Sequence, residues 1–204
     1  WLRADSVELT DGKVSRWYDL SPNNYEITQP NASARPEILD SLNNNPTITF
    51  RLQDFLYGGD ILDLGTDSWT WIIVEKTISD GALVSKSIYG GAAGRWLFCS
   101  NFIWMHSSAM NNDGKIDFNS KKTFNILVWE NNRNNSKNKL LANNVICAES
   151  NIVAPNYNYD YNCNFVIGGF LTGLNTGTLY SGRRYNGKIA EIIAFNNVND
   201  SLRN

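Results

Sequence analysis

Trp69-Thr70-Trp71-Ile72-Ile73-Val74 and Ile189-Ala190-Glu191-Ile192-Ile193-Ala194-Phe195 decide the fold class. Both runs are almost continuously apolar and rich in β-branched and aromatic side chains. Such runs read as central strands, with one face in a core and the other covered by loops or by sheet curvature. Outward from them, short apolar segments alternate with Gly, Asn, Asp, Ser and Pro clusters at the spacing of a β-sandwich. The segments expected as strands are 14–20, 47–51, 68–76, 82–87, 95–102, 124–130, 138–145, 165–168 and 187–195. Turn signals fall at Asp11-Gly12, Ser21-Pro22-Asn23-Asn24, Gly58-Gly59-Asp60, Gly90-Gly91 and Asn186-Gly187. No stretch of a dozen residues shows a capped apolar stripe of helical period. An all-β chain is expected.

Composition agrees. The chain has 204 residues, 42% hydrophobic, 12% aromatic and 19% charged, with seven Trp and nine Tyr. That is enough apolar material to bury a core without staples, and too much for disorder. The net charge of −2 is spread along the chain, so no basic footprint for nucleic acid exists. No run reaches the length of a membrane-spanning helix. Cys99, Cys147 and Cys163 allow at most one pair, Cys147 with Cys163, and read first as small buried apolar residues. About one residue in seven is Asn, which reads either as compositional bias or as a polar, hydrogen-bonding surface. Sequons stand at Asn31, Asn134 and Asn199. With no linker, composition shift or repeat, residues 1–204 are expected to be one domain. The start at Trp1 suggests a piece of a longer protein.

The order of motifs is more specific than the strand count. Trp1-Leu2-Arg3-Ala4-Asp5 is followed by Val14-Ser15-Arg16-Trp17-Tyr18-Asp19-Leu20-Ser21, then Pro36-Glu37-Ile38 and Pro46-Thr47-Ile48-Thr49-Phe50. Further on come Trp69–Lys76, Phe124–Glu130 with Lys139-Leu140-Leu141-Ala142-Asn143-Asn144, Phe165-Val166-Ile167-Gly168-Gly169, and the run from Tyr185 to Asn196. Together they resemble the concanavalin A-like lectin/glucanase superfamily, in its bacterial and phage laminin G-like branch. The resemblance implies a two-sheet antiparallel jelly-roll β-sandwich. It says little about ligand, because the matching residues are core apolars and turns.

The superfamily also contains glycoside hydrolases, which place three carboxylates at alternate positions of one strand so that all share a face. No such triplet occurs: Glu191 stands alone in its strand, Glu75 is followed only by the distant Asp80, and Glu37 and Asp40 would point to opposite faces. His106, the single His, has no nucleophile elbow beside it. A non-catalytic module is therefore expected.

Sugar binding calls for aromatic faces with amide or carboxylate groups around them. One stretch with that chemistry runs from Arg95 and Trp96 through Trp104 and His106 to Asn111, Asn112 and Asp113. The other is Asn156-Tyr157-Asn158-Tyr159-Asp160-Tyr161-Asn162. Trp96 reads either as a platform or as core, while Trp104, among polar neighbours, is expected near the surface. Tyr157, Tyr159 and Tyr161 share a face if extended, or pack as a loop over a sheet. Calcium is a common partner in the superfamily. Here its oxygen ligands could come only from Asp54, Asp60 and Asp63, or from Asn112-Asp113-Gly114, with no dense acidic loop. The expected partner is a glycan or cell-surface polysaccharide, in an extracellular, cell-surface or virion setting. The alternative is a structural domain docking onto other chains of an assembly, and the third reading is a glycoside hydrolase.

Overall fold

The computed structural model describes residues 1–91, 94–106, 116–117, 123–152, 156–174 and 177–196. Their strands are β1 (Leu2–Thr10), β2 (Lys13–Asp19), β3 (Glu26–Thr28), β4 (Glu37–Leu42), β5 (Asn45–Phe50), β6 (Leu56–Tyr57), β7 (Trp69–Ser79) and β8 (Ala82–Lys86). They continue with β9 (Trp96–Cys99), β10 (Phe102–Met105), β11 (Ile116–Asp117), β12 (Asn125–Asn132), β13 (Lys137–Ala142), β14 (Val145–Asn151), β15 (Val166–Ile167) and β16 (Asn186–Phe195). The only described helical pieces are single 3-10 turns at Ala32–Ala34 and Ser181–Arg183.

The two runs that opened the reading pair with each other. β16 lies antiparallel to β7 along its whole length, Ile192 opposite Ile73, and its other edge takes β5 and the start of β1. One layer continues from this pair through β12, β13 and β14. The second layer holds β11, β10, β9, β8, β15, β6 and β3, and β2 joins it to the first. The side chains show that the layers face each other. Trp96 on β9 meets Trp71 on β7 at 5.1 Å and Trp129 on β12 at 6.2 Å, and Phe98 meets Trp129 at 5.5 Å. None of these strands shares a ladder with β9, so the contacts cross the sandwich. The fold is an antiparallel two-sheet β-sandwich.

Strand alternation fills this core. On β7, Trp69, Trp71, Ile73, Glu75 and Thr77 point inward and are buried, while Ile72, Val74 and Lys76 are half-buried on the outer face. On the β9–β10 hairpin, Trp96, Phe98, Ile103 and Met105 enter the main core. Leu97, Cys99 and Phe102 turn the other way, into a smaller cluster with Ala82 and Phe170, against which Trp104 and Tyr180 pack. Two of the buried indoles find acceptors: Trp17 Nε1 donates to the Arg3 carbonyl at 2.7 Å and Trp129 Nε1 to Asn138 Oδ1 at 3.3 Å. Asn131 Nδ2 shares that acceptor at 2.6 Å, and both Asn131 and Asn138 are fully buried.

Part of the Asn content therefore has a structural use that neither composition nor surface polarity suggests. Asn43-Asn44 and Asn143-Asn144 have φ between 49° and 65° at both positions. They close the β4–β5 and β13–β14 hairpins, where left-handed backbone is required and Asn tolerates it.

Several boundaries differ from expectation. The segment 95–102 is two strands, because the chain reverses at Ser100-Asn101 to make the β9–β10 hairpin. The segment 138–145 stops at Ala142 for the Asn turn, and the edge strand β14 follows. β1 was not anticipated, since its second half is polar and largely exposed. Asn186-Gly187 is no turn but the start of β16. Gly is needed there because a Cβ would run into the Tyr185 hydroxyl and the Lys76 carbonyl. Cys99 and Cys163 are buried as expected, but Cys147 is exposed, and all three are free thiols, so the Cys147–Cys163 pair does not form. Burial pushes the Cys163 thiol up to about 12.

Candidate functional site

The outer face of β9 and β10 is only partly covered. Residues 170–174 and 177–183 fold over it, pinned by a parallel bridge between Ile88 and Leu171 and by the Tyr89 N–H donating to the Leu171 carbonyl at 2.9 Å. Between this flap and the hairpin lies a cleft of about 450 Å³ lined by Tyr89, Arg95, Trp104, Phe170, Tyr180 and Arg183 among others. Its walls are aromatic. Tyr89 stacks on Tyr180 with centroids 4.3 Å apart and planes 14° from parallel, and Tyr180 leans on Phe170 at 5.0 Å. Trp104 packs edge-on to Phe102 and tilts against His106 at 4.1 Å. Tyr89 is 60% exposed, so its ring is offered to solvent, while Phe170 is nearly buried and fixes the floor.

The cleft's charge is cationic. Arg95 is half-buried; its Nη1 donates to the Ile88 carbonyl at 3.2 Å, and its Nε is buried with no hydrogen-bond partner. Burial pulls its guanidinium below the ordinary value, partly offset by the nearby Tyr161. Arg183 lies over the Phe102 ring at 4.8 Å and donates to the Gly182 carbonyl. No carboxylate is among the described residues lining this cleft.

The sequence-derived candidates separate here. Trp104 and Arg95 both reach the cleft. Trp96 does not: it is fully buried at the centre of the aromatic core and presents no face to a ligand. Residues 156–162 form no strand, so the shared tyrosine face is absent. Tyr159 is fully buried beneath the Arg133 guanidinium at 4.6 Å, and Tyr157 packs edge-on against it. Tyr161 is half-buried with its hydroxyl against Gly91, close enough for its charge to be felt at Arg95, but it does not line the cleft. Asn111, Asn112 and Asp113 lie outside the described residues. His106 is buried, 2% exposed. Sequence reasoning missed Tyr89, Phe170, Tyr180 and Arg183. Tyr89 beside the Gly90-Gly91 turn was the only local signal, because the flap reaches the hairpin from far along the chain.

Two other recesses resolve the acidic residues. Asp60 and Asp63 border a groove of about 550 Å³ with Tyr25, Asp67 and Trp69. They hold the ammonium of Lys86, whose side chain is fully buried. Asp54 is elsewhere, accepting from the Arg51 N–H at 2.9 Å. Asp54, Asp60 and Asp63 thus face an internal cation or a backbone donor, Asp113 lies outside the described residues, and among the described residues no three metal-ligating acids, His or Cys converge. Glu191 sits on the outer face of β16, accepting from Trp1 Nε1 at 2.6 Å beside a recess of about 340 Å³. Glu75 is buried among Thr77, Asn125 and Tyr185, which all donate to it, yet burial still raises its pKa.

The sequence matches no family model and no curated protein. Solved structures do match in fold. The CBM40 module of Ruminococcus gnavus IT-sialidase bound to alpha2,3-sialyllactose superposes with a TM-score of 0.53 at 16% identity, over 68% of this chain and 81% of that one. A botulinum neurotoxin type C structure, described by its dependence on two ganglioside molecules for cell entry, gives 0.60 at 12% identity over 95% of this chain. The binding domain of botulinum neurotoxin DC with rat synaptotagmin II gives 0.61 at 9%. The chain spans about half the length of each toxin chain (50% and 51%). At these identities the likeness establishes the sandwich fold.

Proposed function

We propose that this chain is a non-catalytic carbohydrate-binding module that takes a saccharide between Trp104 and the Tyr89–Tyr180 stack. The observation that carries the reading is the open aromatic cleft on the outer face of β9 and β10. Pyranose rings present apolar C–H faces, and partly exposed indole and phenol rings held rigid by their neighbours are their complement. Hydroxyls would meet the Arg95 and Arg183 donors and the carbonyls of the flap. Glycan-bearing neighbours of the same fold support the reading.

Among the described residues lining the cleft there is no pair of carboxylates such as a retaining or inverting hydrolase needs on either side of the scissile bond. Glu75 is enclosed in the core and Glu191 lies on β16, so neither supplies the pair. The motif order quoted above supports the laminin G-like branch, and an extracellular, cell-surface or virion protein is the setting proposed for the module. A glycan array is the direct test. Binding to at least one glycan, weakened in Tyr89→Ala and Trp104→Ala, is the expected result; no bound glycan, or unchanged binding in both variants, would refute the proposal.

A further inference from the structure

Three of the described arginines pair with acids. Arg3 pairs with Asp5, Arg16 with Glu26 and Arg51 with Glu37, and Lys188 pairs with Asp40. Arg35 and Arg184 turn to backbone carbonyls instead, and so do Arg95 and Arg183, which differ from them in their setting. Both line one cleft, and no described carboxylate lies within ion-pair distance of either. Asp80, whose charge is felt with that of Arg183 at Cys99, accepts instead from Ser100 Oγ and Asn101 Nδ2. Each guanidinium has one backbone acceptor for its five N–H donors, and the Arg95 Nε is buried without any.

A buried donor without a partner costs about 1–3 kcal/mol. A fold retains such a group where something else supplies the acceptor. A planar fork beside an aromatic wall matches a carboxylate or sulfate bidentately, which an ammonium does not. Arg183 already rests over the Phe102 ring, 4.8 Å from its centroid, beside the cleft.

We infer that the cleft selects an anionic saccharide, whose carboxylate or sulfate is gripped between Arg95 and Arg183 while its ring rests on Trp104 or the Tyr89–Tyr180 stack. This rests on the proposed function and gives it a charge class. A neutral sugar would leave both guanidiniums without a counter-ion in a partly desolvated site, so the same cleft discriminates against it.

The test is titration calorimetry of the whole chain with lactose, 3′-sialyllactose and 3′-sulfolactose, which share a neutral core and differ in the acid. At least one acidic probe should bind about tenfold or more tightly than lactose, with a preference that shrinks as salt is raised. Binding of sialyllactose alone would assign a carboxylate, and binding of both an anion in general. Arg183→Gln and Arg95→Lys should each bring the acidic probe toward the lactose level. Arg183 is the safer variant, since only Arg95 has a buried guanidinium nitrogen without a partner, and a thermal melt confirms that each variant is folded. Equal affinity for all three sugars, or a preference kept by folded Arg183→Gln, overturns the inference. So does a glycan array in which the wild type binds only neutral sugars through Trp104, an outcome that leaves the module reading standing. A chain that binds no glycan of either kind removes both.

Discussion

Lys86 and the Arg95–Arg183 pair show two fates for a cation on the same layer of the sandwich. Lys86 leaves β8 with its side chain fully buried and meets both Asp60 and Asp63. Arg95 and Arg183 border an aromatic cleft and meet no described acid. A neutralised, enclosed charge ties one loop to one strand and is architecture. An unneutralised charge beside exposed rings is available to something that diffuses in. The difference teaches that charge alone marks no site; an unpaired charge beside exposed aromatic rings does.

The sharpest way to break this comparison is to remove the enclosed cation. Lys86→Met should destabilise the fold by about 2–3 kcal/mol, less than a fully buried pair because both acids are partly exposed. Urea denaturation measures it, and glycan affinity of the folded protein should stay unchanged. Tyr89→Ala should do the reverse. It should weaken glycan binding on the order of tenfold, about 1–2 kcal/mol, while shifting the denaturation free energy by no more than about 0.5 kcal/mol.

Glu75 is the opposite of Lys86: an enclosed charge-bearing group without a counter-ion. Its folded pKa lies above the unfolded value of 4.5. Below that value both states carry the proton. Above it the unfolded chain releases its proton first, so the folded state binds more protons and stability falls as pH rises, until the folded group also ionises. Glu75→Gln should flatten this decline, and urea midpoints measured across the acid-to-neutral range will show whether it does. The smallest effect belongs to Asp63→Asn, expected near 0.5 kcal/mol, because Asp60 still faces Lys86 and the removed charge is 42% exposed at its side chain.

The two opening runs carried the central β7–β16 pair in their own composition, and the inward tryptophans of β7 followed from the alternation of the strand. Trp96 and Trp104 show where that legibility stops. They sit on paired strands of one hairpin, with Met105 opposite Trp96 and Trp104 opposite Leu97, so they must point to opposite faces. Sequence shows two tryptophans in one stretch; only the reversal at Ser100-Asn101 decides which enters the core. The Tyr157–Tyr161 series fails for a related reason. Alternation places side chains on one face only if the segment pairs as a strand, and this one makes only an isolated bridge, Tyr159 to Gly65, outside every strand.

What the amino-acid sequence determined alone was local: strands from β-branched and aromatic runs, turns from Gly and Asn, and an all-β class from the lack of any helical stripe. Those preferences act over a few residues and survive in any tertiary setting. The cleft was decided by the tertiary structure. It needs Tyr89 against Tyr180, Arg95 and Arg183 on one cleft, and a flap returned across the sheet to Ile88. Contacts between residues so far apart in the chain leave no periodic trace, because they are fixed by how two layers close on each other and not by any preference of the segments themselves.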